Sequence, residues 1–180
     1  MSTSAHLIVF SGMVCLLLHT SSAYAQHQAR AEIKNTAGTS IGSATLRASK
    51  EGVVITVNVK ELPPGLHAVH LHAVGKCEGP AFTSAGPHVN PLNKHHGLKN
   101  PDGPHAGDLP DMYVQKNGVG HYEVLADSVT LDAAATSLFD ADGTALIIHA
   151  TADDDITDPA GNAGDRIACG VITKTAAKKK

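Results

Sequence analysis

Twelve of the 180 residues are histidine, and seven of them (His67, His70, His72, His88, His95, His96 and His105) crowd into one stretch. His70 and His72 stand at i and i+2 in the strand-like run Leu66 to Ala73, so both imidazoles leave the same face of a strand. Neutral imidazole suits copper and zinc alike, which makes this pair ready-made metal ligands. His88, His96 and His105 follow, with Asp108 three residues past the last. Three imidazoles and a carboxylate complete a tetrahedral zinc shell with no open position, the pattern of a structural zinc site. His95 beside His96 leaves the choice between them open on composition alone. His149 closes a second apolar strand, Ala145-Leu146-Ile147-Ile148-His149. Each of these histidines alone has a plain structural reading, and their number within one small domain argues for ligation.

The scaffold reads as β. Aromatic residues are only 3% and Trp is absent, so the core must be filled by Val, Ile, Leu and Ala, of which the β-branched favour strands. Val53 to Lys60 alternates Val53, Ile55, Val57 and Val59 on one face. Ala29 to Lys34 and Ile41 to Ser49 are strand-like across the turn Asn35 to Ser40, and Glu51-Gly52 marks the next turn. Three such strands suggest an antiparallel meander. Strand signals return at His121 to Ala126, Thr144 to Ala150 and Ile167 to Thr173. Val74 to Gly118, rich in Gly, Pro, Asn and His, reads as a long loop, and such loops are normally functional or held by ligands. An acidic, Gly-rich loop spans Asp153 to Asp165. The only helical expectation is a single turn within Ala133 to Phe139. The fold class is therefore an all-β sandwich or flattened barrel with two long functional loops.

Residues 1–25 read as a signal peptide: an apolar run from Leu7 to Leu18, too short to span a bilayer, then the small-x-small site Ala23-Tyr24-Ala25. Its removal takes Cys15 and leaves residues 26–180 as one domain, periplasmic or secreted. An even pair, Cys77 and Cys169, then suggests a bridge in an exported protein. Closing so long a loop stabilises by about 4 kcal/mol in the chain-entropy picture. A net charge of −3, from 14 basic and 17 acidic residues, gives a nucleic-acid partner no electrostatic support. Lys178-Lys179-Lys180 reads as a frayed tail.

Gly65-Leu66-His67-Ala68-Val69-His70-Leu71-His72 resembles the copper-binding strand of copper–zinc superoxide dismutases. Thr83-Ser84-Ala85-Gly86-Pro87-His88-Val89-Asn90-Pro91-Leu92 resembles their zinc loop, and His105-Ala106-Gly107-Asp108-Leu109 its end. Gly161-Asn162-Ala163-Gly164-Asp165-Arg166-Ile167-Ala168-Cys169-Gly170-Val171-Ile172 resembles the family's C-terminal signature. The resemblance, nearer to bacterial exported members, implies an antiparallel Greek-key sandwich. It implies copper on His70, His72, His88 and His149, and zinc on His88, His96, His105 and Asp108, with His88 an imidazolate shared by both ions. The family's spacing selects His96 over His95. Asp153 would hydrogen-bond one histidine of each ion, Cys77–Cys169 would be the disulfide, and His67 would brace backbone.

The implied activity is disproportionation of superoxide to dioxygen and hydrogen peroxide. Copper would cycle between +2 and +1, and Arg166 would attract the anionic substrate. Two features depart from the family: Ala68-Val69 stands for a common Gly-Phe, and the loop from Asp153 to Arg166 is shorter than in eukaryotic cytosolic members. With that loop short, Lys94 and Lys99 become candidates for electrostatic steering. An exported copper and zinc buffering or delivery protein on the same fold is the alternative, and a homodimer stays open.

Overall fold

The alternation in Val53 to Val59 is realised as a strand whose odd positions are buried and whose even positions face outward. In the computed structural model, which describes residues 27–175, nine strands form. They are β1 (Gln28–Asn35), β2 (Ser40–Ala48), β3 (Val53–Val59), β4 (Gly65–His72), β5 (Asp108–Val114), β6 (Gly120–Ala126), β7 (Ala145–His149), β8 (Arg166–Val171) and β9 (Thr173–Lys174). Every pairing is antiparallel, in the order β2-β3-β6-β5-β4-β7-β8-β1, and β1 returns to pair with β2 and close the barrel. The short β9 adds to β1 at Ala29 and Arg30. Chain neighbours β3 and β4 are not sheet neighbours, because β6 and β5 lie between them: a Greek-key path.

Ile33, Leu46, Ile55, Val57, Leu71, Met112, Leu146 and Ile148 fill the interior with no exposed surface. Each such side chain contributes about 1.5–3 kcal/mol by leaving water. Val69 and Leu71 of β4 belong to this core, so the pleat turns His70 and His72 to the outside of the barrel. They are nevertheless buried, because the long loops roof that face. The same roofing explains why β7 is buried at all five positions: Phe82 and Ala85 pack over Ala145, Ile147 and Cys169 as a second cluster. Cys77 and Cys169, 92 residues apart, are disulfide-bonded and tie that roof to β8.

Two local expectations change. The segment read as one loop from Val74 to Gly118 contains β5. Its buried Leu109 and Met112 are three apart because a register shift opposite His67 and Val69 breaks the two-residue period. Pro110 also removes a donor, and β5 meets β6 only at Val114 and Gly120. The expected helical turn within Ala133 to Phe139 is instead a run of bends and tight turns, in which Ser137 N–H donates to Ala134 O at 3.1 Å, closed by a bridge between Thr130 and Ser137. The only helical element among the described residues is a 3-10 turn, Thr83–Ala85. The expected signal segment, with Cys15, and the lysine tail Lys178-Lys179-Lys180 lie outside the described residues.

Candidate metal centre

The first loop runs beside β4 as an irregular strand: Ala73 N–H donates to Pro87 O, Val89 N–H to Leu71 O, and Leu71 N–H to Gly107 O. This ladder presses His88 against His72. The register of β4 and β7 brings His149 to the same face. The ligand nitrogens of His70, His72, His88 and His149 consequently lie within 4.8 Å of one another, all buried.

The tautomer logic of this quartet is informative. His70 Nε2 donates to Asp153 Oδ2 at 2.6 Å, His72 Nδ1 to Gly86 O at 2.8 Å, and His149 Nδ1 to Gly164 O at 3.3 Å. His88 Nδ1 lies 2.8 Å from Asp108 Oδ1. The nitrogens left over are His70 Nδ1, His72 Nε2, His88 Nε2 and His149 Nε2, and all four are buried without a hydrogen-bond partner among the described residues. Leaving one buried polar atom unsatisfied costs about 1–3 kcal/mol, so four that converge ask for a common partner. Their lone pairs suit a cation, and the second nitrogen of each ring holds it in orientation, as ligating histidines require.

A second group shares one ring with the first. His88 Nδ1, His96 Nδ1 and His105 Nδ1 lie 2.8, 3.1 and 3.3 Å from Asp108 Oδ1, and His88 Nδ1 lies 3.3 Å from His105 Nδ1. Zinc bonds of about 2.0–2.1 Å in a tetrahedron imply ligand separations of about 3.3 Å, so the four atoms need little movement to close on an ion. His70 also comes within reach of His88, His96 and Asp108. Its Nε2 is committed to Asp153 and its Nδ1 turns to the other group, which leaves His105 to complete this one. Asp108 Oδ2 accepts the backbone N–H of Gly97 and of His105, both at 2.9 Å, which fixes the carboxylate.

The electrostatics fit cation binding. Burial pushes His72 down to about 2, with the neighbouring His88 adding to the effect. Burial likewise lowers His88 and His149 to about 4, although hydrogen bonds to Asp108 and Gly164 act the other way. These rings are neutral, with a free lone pair, at ordinary pH. Burial would lower His96 as well, but hydrogen bonds to Asp108 and Asp153 outweigh it and raise it to about 9. Burial would raise both carboxyls; hydrogen bonds from His88 and His96 hold Asp108, and from His70 and His96 hold Asp153, well below the usual range. Asp153 bridges the groups, within 3.0 Å of His96 Nε2 and 2.6 Å of His70 Nε2.

His67 has no nitrogen left for an ion: Nδ1 lies 2.7 Å from His149 O and Nε2 2.8 Å from Pro63 O. Arg166 donates from its two terminal nitrogens to Phe82 O and Gly86 O, both at 2.8 Å. Its guanidinium lines an open cavity of about 900 Å³ that reaches His72, His88 and His149. Lys94 and Lys99 do not line that cavity, and Lys99 Nζ is paired with Asp155 at 2.7 Å.

Two participants escaped the sequence reading. Gly86 O is shared by His72 and Arg166, and the Asp111 carboxylate accepts Asp153 N–H at 3.0 Å from the middle of β5. A backbone carbonyl carries no residue-type signature. Asp111 lay within the segment read as loop.

The closed antiparallel barrel and its roofed histidine face define a β-barrel whose clustered, buried histidines could hold metal ions. The copper/zinc superoxide dismutase (SODC) family model matches residues 40–172, and the chain belongs to that family. It is 50% identical over 159 residues to superoxide dismutase [Cu-Zn] 2 of Aquifex aeolicus, covering 87% of this chain and 93% of that protein. It is 41% identical over 147 residues to a superoxide dismutase [Cu-Zn] of Caulobacter vibrioides, covering 80% and 84%. The crystal structure of a superoxide dismutase-like protein from Bacillus subtilis superposes with a TM-score of 0.76 at 39% identity, over 78% of this chain and 95% of that one. No helix among the described residues is long and apolar enough to cross a membrane.

Proposed function

We propose that the protein disproportionates superoxide: two superoxide anions and two protons become dioxygen and hydrogen peroxide. Copper would be held by His70 Nδ1, His72 Nε2, His88 Nε2 and His149 Nε2. Zinc would be held by the Nδ1 atoms of His88, His96 and His105 with Asp108 Oδ1. Copper cycling between +2 and +1 supplies the one-electron acceptor and donor that the two half-reactions need, and zinc, without redox chemistry, supplies fixed charge. The observation that carries the reading is the set of four buried, unpartnered imidazole nitrogens, three of them on rings that line an Arg-lined cavity and one belonging to a ring whose other nitrogen joins the second group.

The chain's own residues then have defined tasks. His88 can take a proton on Nε2 while Nδ1 stays held beside Asp108, so the ring keeps its place and can return that proton to departing peroxide. Asp153 keeps His70 and His96 in register. Arg166, clamped by two carbonyls, presents a fixed positive charge to a small anion and raises its local concentration. The disulfide and the apolar segment from Leu7 to Leu18 support an exported protein.

Superoxide removal by copper- and zinc-loaded protein, against chelator-stripped protein, tests the reading. Arg166→Ala should keep copper but lower the rate at low salt by about tenfold or more, the scale of electrostatic focusing. A metal-loaded protein that holds copper and zinc yet leaves superoxide untouched would favour a buffering or delivery role.

A further inference from the structure

His95 and Asp158 stand outside both ligand groups, yet they meet at their edge. Asp158 belongs to the second loop, the acidic segment from Asp153 to Asp165, and His95 and His96 to the first. Asp158 Oδ1 accepts the backbone N–H of His96 at 2.7 Å, and Oδ2 lies 2.5 Å from His95 Nδ1. One carboxylate from the second loop therefore grips two consecutive residues of the first. Thinner stitches flank it: Lys99 N–H donates to Asp155 O at 3.0 Å, and Asn100 Nδ2, which also braces His96 O at 3.0 Å within the first loop, donates to Ile156 O at 3.2 Å.

His96 is held from several directions. Its ring nitrogens face Asp108 and Asp153, its carbonyl accepts from Asn100, and its N–H is taken by Asp158. The residues after Asp158, Pro159 and Ala160, line the cavity above the histidines. The grip thus fixes a ligand candidate on one side and a cavity wall on the other.

We propose that Asp158 is a positioning residue that clasps the two long loops together at the second metal group, and that His95 is its clasp partner and not a ligand. This rests on the reading of His88, His96, His105 and Asp108 as a zinc site. The two halves of the clasp differ in weight. The side chains of His95 and Asp158 are 62% and 47% exposed, so their ion pair is screened and contributes little. The bond to the partly buried His96 N–H is charge-assisted and acts on the backbone of a ligand.

The test is zinc release from copper- and zinc-loaded full-length protein into a metallochromic chelator, with cobalt(II) absorption at the zinc site as a second readout. Asp158→Ala should speed release about tenfold and shift the cobalt bands. His95→Gln should speed it about threefold at most, and Asp158→Asn, which keeps an oxygen for the His96 N–H but not its charge, should fall between wild type and Asp158→Ala. Release and cobalt bands unchanged in Asp158→Ala would overturn the clasp while leaving the zinc reading intact. A wild-type protein that retains no zinc would overturn both. Should Asp158→Ala not fold, amide exchange at His96 in the loaded wild-type protein decides: slow exchange is expected, and exchange as fast as in the exposed neighbouring loop overturns the proposal.

Discussion

Replacing both Cys77 and Cys169 by Ala separates the roof of the metal centre from the barrel, and its cost can be worked out. The bridge spans 92 residues, and in the chain-entropy treatment a loop of that size removes about 4.5 kcal/mol of freedom from the unfolded chain. Domains of this size have a total stability of about 5–15 kcal/mol, so the double variant should lose a third of it or more. Alanine is the right replacement because Cys169 is buried against Phe82, Ala145 and Ile147, where a serine hydroxyl would add a separate penalty. Urea unfolding of the metal-free protein reads the effect. With a slope of about 2 kcal/mol per molar, the midpoint should fall by about 2 M. The slope itself should rise, since an uncrosslinked chain exposes more surface when unfolded. A midpoint shift below about 0.5 M with an unchanged slope would refute the argument that the bridge acts mainly on the unfolded chain.

Two further outcomes follow from the histidines and from one glycine. His72, His88 and His149 are pushed to about 2, 4 and 4, below the usual 6.5, so the unfolded chain takes up their protons first as pH falls. Stability of the metal-free protein should therefore drop between about pH 6.5 and pH 4; His96, raised to about 9, contributes stability that is complete below 6.5 and lost as pH rises through 9. Thermal midpoints across pH 4.5–10 should trace a maximum between these windows, and a flat acid limb would contradict the burial argument. At Gly161 (φ +62°) a Cβ would overlap Asp153 Oδ1 and crowd His96 Nε2. Gly161→Ala should cost about 2 kcal/mol or more and weaken retention of both ions, measured by unfolding and by metal analysis after dialysis. Retention equal to wild type would show that the Asp153 bridge tolerates displacement.

How much of this was legible depended on whether a residue's role is tied to its type. His70 and His72 were readable because a strand has a period of two, and Val69 and Leu71 on the opposite face confirm which way the pair points. His88, His105 and Asp108 were readable because few structures need three imidazoles and a carboxylate within a short irregular stretch. His96 against His95 was not separable by composition; the two differ only in where the backbone turns them, one ring toward Asp108 and the other toward Asp158. β5 escaped because its bulge puts Leu109 and Met112 out of phase with any simple alternation. The carbonyls of Gly86 and Phe82, which hold His72 and Arg166, are invisible to any reading by side chain.

The two kinds of legibility have one physical origin. A barrel whose inside is closed with Val, Ile, Leu and Met has no room for an ion, so ligands must sit on the outer face of β4 and β7. That face would be wet unless something covered it. The covering segments need left-handed turns, close approaches and carbonyls aimed inward, as at Phe82, Gly86 and Gly161, and those demands suppress the regular periods on which strand recognition depends. The stretch that looks least structured in the sequence is therefore the one whose buried histidines, His88, His96 and His105, are each held by Asp108. Buried imidazoles paired through one nitrogen and free through the other are the consequence, and they are what makes this face of the barrel a place for metal ions.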